Sequence, residues 1–170
     1  MNKLMLFVLI AVLCLSAINV TVAKDKIGVY DSRMIAVWYF NTPEYQKSIK
    51  DMRDSAAAAK KNNDTEKIKY YDEIGILTQR VLHDKGFGRG SVAEILEKKK
   101  AELAELAKNE KLIAIVSKWE VNYSSTDVEL VDVTLKLLEL LKAPENIKNF
   151  YDSMKVQPPV ENAFFMNPLE

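Results

Sequence analysis

Residues 112–141, LIAIVSKWEVNYSSTDVELVDVTLKLLELL, constrain the fold more than any other part of the chain. Leu112 to Ser117 is an apolar run of strand length. A second extended run passes through Val121 and Tyr123, and Ser124, Ser125 and Thr126 form a polar turn. Val128 to Val133 is a third run, and an apolar helix follows from Thr134. The matching upstream stretch is Lys26-Ile27-Gly28-Val29-Tyr30, about eighty residues earlier, and the chain between them has helical periodicity. The expected fold class is therefore α+β, with a small antiparallel or mixed sheet body. A long helical hairpin, an arm, is inserted between the first and second strands.

The first 23 residues read as a cleaved export signal. Asn2 and Lys3 make a basic start, Leu4 to Ala17 is apolar apart from Ser16, and Thr21-Val22-Ala23 offers the small residues a signal peptidase needs. That apolar core is shorter than the roughly 20 residues that span a bilayer, so no membrane anchor is expected to remain after cleavage. The single cysteine, Cys14, leaves with the signal, and residues 24–170 carry neither disulfide nor thiolate. One of the 24 basic residues, Lys3, leaves too, so 23 face 24 acidic ones. A balanced charge excludes a dedicated nucleic-acid binder. Export without disulfides points to a periplasmic or secreted protein.

Asp31 and Ser32 can cap whatever follows the first strand, while Arg33 to Phe40 is ambiguous between helix and strand. Thr42-Pro43 starts a helix, with Thr as N-cap and Pro at the first position. Its apolar residues Tyr45, Ile49, Met52, Ala56 and Ala59 alternate steps of four and three, which is a heptad seam. Asn62 to Thr65 breaks that helix and caps the next, where Tyr70, Ile74, Leu77 and Val81 form a second seam expected to face the first. Gly86, Gly88 and Gly90 interrupt it as an elbow, and Ser91 to Glu94 reads as a capping box for a third helix. Pro144 begins a last amphipathic helix, Pro158-Pro159 ends it, and a tail with Phe164, Phe165 and Met166 remains. With residues 43–109 set aside, fewer than about 80 residues are left for a core, and self-association is expected to supplement it.

Little here points to catalysis. The glycines follow a helix rather than a strand and lack a following P-loop lysine, so a nucleotide loop is excluded. The milder idea is an anion held by Arg89 and the Ser91 helix start. His83 is the only histidine, and no carboxylate spacing suggests a metal or another cofactor. Asp31, Glu120, Asp127, Glu129 and Asp132 sit at strand ends or on strands, where two of them could form an acid–base pair. The structural alternative is a solvated sheet face, with Asp132 capping the helix from Thr134. Trp38 and Trp119 read as core or interface anchors. Lys98-Lys99-Lys100 and Lys60-Lys61 read as solvated helix faces.

This layout resembles the Skp, or outer-membrane-protein-H-like, family of periplasmic chaperones. The resemblance rests on the opening strand Lys26 to Tyr30, the apolar strand Ile113-Ala114-Ile115-Val116, the run ending near Tyr123, and Asp132-Val133-Thr134 opening an apolar helix. It covers residues 24–142 in outline: a sheet body of 24–42 and 110–142 and an arm of 43–109, with 143–170 as a C-terminal helix and tail. It implies a non-enzymatic, cofactor-free trimer whose arms enclose unfolded outer-membrane proteins. Tyr45, Ile49, Met52, Tyr70, Ile74 and Leu77 would be the client-binding positions on those arms. The alternative is an exported module of the same fold that binds one ligand or partner without general chaperone activity.

Overall fold

The computed structural model describes residues 24–159. In chain order they form β1 (Asp25–Tyr30), α1 (Ser32–Phe40), α2 (Pro43–Lys61), α3 (Thr65–Gly86), α4 (Ala93–Glu97), α5 (Lys100–Glu110) and β2 (Leu112–Ser117). A 3₁₀ turn (Lys118–Glu120), β3 (Val128–Asp132), α6 (Thr134–Leu140) and α7 (Glu145–Met154) complete them. The export-signal residues 1–23 and the tail from 160 onward lie outside the described residues.

Local chemistry sets the helix starts. Asp31 Oδ1 accepts from the Arg33 amide at 3.1 Å, which resolves the ambiguous segment as helix. Thr42 Oγ1 accepts from Tyr45 N, and Asp64 Oδ1 from Lys67 N. Each side-chain oxygen satisfies one of the amides left over at a helix start. Val92 and Ala93 open α4 instead of a continuous helix from Ser91, and the chain breaks again at Lys98-Lys99 before α5.

The sheet corrects the expected fold class. It is three-stranded and wholly parallel, in the order β2-β1-β3, not antiparallel or mixed. The extended run through Val121 and Tyr123 is not a strand; it is an irregular strap. The physical reason lies in that connection. An antiparallel hairpin closes through two to five residues, whereas residues 118–127 travel from the carboxyl end of β2 to the amino end of β3. At about 3.3 Å per residue they exceed the length of either strand. The insertion also differs from a single long hairpin, because five helices separate β1 from β2. Only α2 and α3 form the hairpin. Val92, Ile95 and Leu96 of α4 are buried in the main core, so residues 43–109 are not one arm.

That core occupies one face of the sheet. Gly28 aligns with Ile115 on one side and Val131 on the other, and this row faces Met34, Ile35, Leu137 and Leu138. Gly28 sits at the crossing because a Cβ there would lie 2.8 Å from Leu112 Cδ1. α7 adds Ile147 and Tyr151. The body therefore recruits helices from both ends of the chain and is larger than the sequence suggests.

Candidate functional site

The carboxyl ends of parallel strands are where open sheets of this kind usually hold ligands. Here that region is filled by the protein itself. Asp31, at the end of β1, is fully buried. It receives Arg33 Nε at 2.9 Å and Nη2 at 2.7 Å, Lys118 Nζ at 2.8 Å and Trp119 Nε1 at 3.1 Å. Its own amide donates to Thr134 Oγ1 at 3.0 Å. Burial alone would raise the Asp31 carboxyl, but hydrogen bonds from Arg33, Lys118 and Trp119, with the Arg33 charge, outweigh it and hold the group below its usual value. Arg33 spends its remaining donors on the carbonyls of Met154, Gln157 and Pro158. The Arg33 and Lys118 cations both flank the Trp119 ring, at 4.7 and 4.4 Å from its centroid.

Two further segments close over this cluster. Gly88 takes φ +79, and a Cβ on it would sit 2.9 Å from Trp119. Gly88 is thus fitted against Trp119 and Arg33, while Gly86 faces open space and Gly90 packs back on Asp84 and Lys85. Asp132 accepts from Thr134 N at 2.8 Å, the expected cap, and from the Tyr151 hydroxyl. Burial first, then this bond to Asp132, pushes the Tyr151 phenol up to about 12. Every side-chain polar group around Asp31 is thus committed to a partner within the protein. The cluster is a structural tie between strand ends, helix α1 and the chain beyond α7.

The second face of the sheet is different. Its central row is Ile27, Ala114 and Leu130, with Val116, Val29 and Val128 beside it. None of these joins the cluster on the first face; Val29 is buried here, Ile27, Ala114, Val116 and Val128 are half-buried, and Leu130 is 41% exposed. Parallel sheets are normally covered on both faces. Instead, a cavity of about 500 Å³ lies here between the strands and the strap, walled by Ile27, Val116, Val121, Val128 and Leu130. Asn122, Ser124 and Ser125 supply a polar rim, and Tyr123 stands in solvent.

On the hairpin, the first predicted seam faces as expected. Tyr45, Ile49, Met52 and Ala56 are half-buried and Ala59 is buried. The second is rotated by one position. α3 meets α2 through Tyr71, Gly75, Thr78 and Leu82, which wall a cavity together with Ile49, Met52 and Ala56. The bulkier stripe is left outside. Tyr70 and Leu77 are 56% exposed and Val81 is 50% exposed, with Ile74 half-buried. So the six candidate client-binding positions divide: Tyr45, Ile49 and Met52 lie in the hairpin seam, Ile74 borders it, and Tyr70 and Leu77 are open to solvent. At the root of the hairpin, Tyr39, Phe40 and Tyr45 cluster with ring centroids 5.1 to 6.2 Å apart. They wall a cavity of about 320 Å³ with Ile74, Leu77 and Val81.

The remaining sequence candidates are dispersed. Arg89 pairs with Asp84 at 3.5 Å, and Ser91 Oγ accepts from Ala93 N, so both groups of the expected anion contact have protein partners. His83 packs on Phe87 in the last turn of α3. Glu129 pairs with Lys26, and Glu120 and Asp127 are exposed. Lys98 and Lys100 meet Glu44 and Glu97 across the surface. Among the described residues no group of three or more metal-ligating side chains assembles, and no helix is long and apolar enough to cross a membrane.

Sequence inspection missed Arg33, Lys118 and Tyr151. The available signal was Arg33 itself, a charge placed against Met34, Ile35 and Ala36, which must carry a partner into the interior. No family model matches the chain, and neither does any curated protein or solved structure.

Proposed function

We propose that this is an exported, non-enzymatic binding protein that takes up apolar, extended segments of unfolded polypeptide. Its role would be that of a periplasmic holdase for outer-membrane or other exported proteins, in keeping with the Skp-like outline of its sequence. The observation that carries this reading is the partly open second face of the parallel sheet, with its cavity beneath the strap and Leu130 exposed. An extended segment suits it better than a compact ligand. β3 is an edge strand whose outer main-chain groups have no strand partner among the described residues, and an added strand would pair with them while its alternate side chains enter the cavity. The polar strap beside the cavity offers further hydrogen-bond partners.

The test is dilution of an unfolded outer-membrane β-barrel protein from urea, with aggregation followed by light scattering. The protein at molar excess suppresses aggregation, and Leu130→Asp, an exposed change that spares the core, weakens suppression several-fold. Aggregation at the unassisted rate would remove the holdase reading.

One observation favours a second reading, a module for a small aromatic ligand. The Tyr45 hydroxyl oxygen is buried at the aromatic cavity without a hydrogen-bond partner among the described residues. Such a module shows a saturable rise in melting temperature with its ligand and no general suppression of aggregation.

A further inference from the structure

The outer stripe of α3, exposed at Tyr70, Leu77 and Val81 and half-buried at Ile74 beside the open aromatic cavity, is itself a seam. Tyr70, Ile74, Leu77 and Val81 follow steps of four, three and four, the repeat that packs one helix against another. Yet α2 packs on the neighbouring stripe of Tyr71, Gly75, Thr78 and Leu82. In heptad terms the seam runs d, a, d, a. Its e flank, Tyr71 and Thr78, is turned toward α2, while its g flank, Glu73 and Arg80, faces solvent. Glu73 has only a long, exposed pair with Lys69 at 3.9 Å.

We infer that this stripe is closed by α3 of a second copy of the chain, running antiparallel. The charges select that partner and that direction. In an antiparallel pair, g positions meet g positions. Setting Ile74 against Leu77 of the second copy, and Tyr70 against Val81 of the second copy, brings Glu73 beside Arg80 of the second copy. The two-fold axis repeats the same pair on the other side. The surface is therefore complementary to itself in both apolar layers and charge, as an isologous contact requires. A parallel pair would set each g against the e position five residues further on, placing Glu73 beside uncharged Thr78 and Arg80 beside the like charge of Lys85 of the second copy. Four apolar layers make an interface smaller than the roughly 1,200 Å² of stable complexes, so the dimer is concentration-dependent. The contact leaves the open sheet face free and does not depend on the function proposed for it.

The experiment is absolute mass by light scattering across a concentration series of the intact purified protein and four variants. The unaltered protein rises toward twice its monomer mass. Leu77→Asp stays monomeric at every concentration. Glu73→Arg and Arg80→Glu each bring like charges together and weaken association by up to about tenfold, and the double variant Glu73→Arg/Arg80→Glu restores it. Circular dichroism of each variant separates loss of association from loss of fold. Masses indifferent to all four changes, whether monomeric or of a larger oligomer, overturn the inference, as does a double variant no better than the singles.

Discussion

Asp31 and Lys118 stand at the carboxyl ends of neighbouring parallel strands, and their 2.8 Å ion pair closes inside the protein, with Asp31 wholly buried. Arg33 completes the pair from the first turn of α1 and carries it on to the carbonyls of residues 154–158. A buried charge is tolerated only when its partners are in place, and here they come from three separate stretches of chain. Loss of any one should be felt by the whole body.

Arg33→Ala leaves buried Asp31 with Lys118 and Trp119 as its side-chain partners and frees the chain after α7. A loss of about 3–5 kcal/mol is expected, measured by urea unfolding. The conservative Arg33→Lys cannot reach the carboxylate and three carbonyls together, so it recovers only part of the loss. Wild-type stability in Arg33→Lys would show that the fork is dispensable.

Acid should act through the same carboxylate. Because the folded-state value of Asp31 is lowered, its contribution is complete above the unfolded value of about 4 and is lost as pH falls through the lowered value. Asp31→Asn is less stable near neutrality and loses less on acidification. Parallel stability–pH curves for the two proteins would contradict this assignment.

Alkali should act on two phenols. Burial, and then the Glu120 charge, pushes Tyr30 up to about 12, and Tyr151 stands at about 12 for the reasons given above. Both stay protonated in the folded protein after they ionise in the unfolded chain, so their stability is intact below about pH 10 and drains away as pH climbs toward 12. Tyr151→Phe should flatten that decline, read from melting temperatures over the range.

Three glycines should respond in opposite ways. Gly75 lies inside α3 with nothing within 4 Å of an added Cβ, so Gly75→Ala should stabilise by up to about 1 kcal/mol. Gly28→Ala drives a methyl toward Leu112 and Val133 and should cost about 1–3 kcal/mol. Gly88→Ala adds a positive φ to the clash with Trp119 and should also destabilise, with a change in Trp119 fluorescence. Equal effects at Gly75 and Gly28 would mean that local propensity outweighs packing here.

The sequence by itself determined where elements begin and which side of α2 is apolar. Asp31, Thr42 and Asp64 cap amides only two or three residues away, and the Tyr45-to-Ala59 stripe is a property of one helix. Such signals act over a few residues and need no knowledge of the rest of the chain. Strand direction was open to a partial reading, since the apolar runs in β1 and β2 suit a parallel sheet, but the serine-rich turn suggested a hairpin. Only the tertiary structure decided that residues 118–127 run back along the sheet. It also decided which of the two stripes of α3 meets α2, because that depends on how the turn at residues 62–64 and the packing of α3 beside α1 rotate the helix about its axis. The Asp31 cluster belongs wholly to this second class. Asp31, Gly88, Lys118, Thr134 and Pro158 are far apart in the chain, and each looks ordinary in its local setting. What joins them is the path of the backbone, which brings one buried carboxylate within reach of every group that can neutralise it.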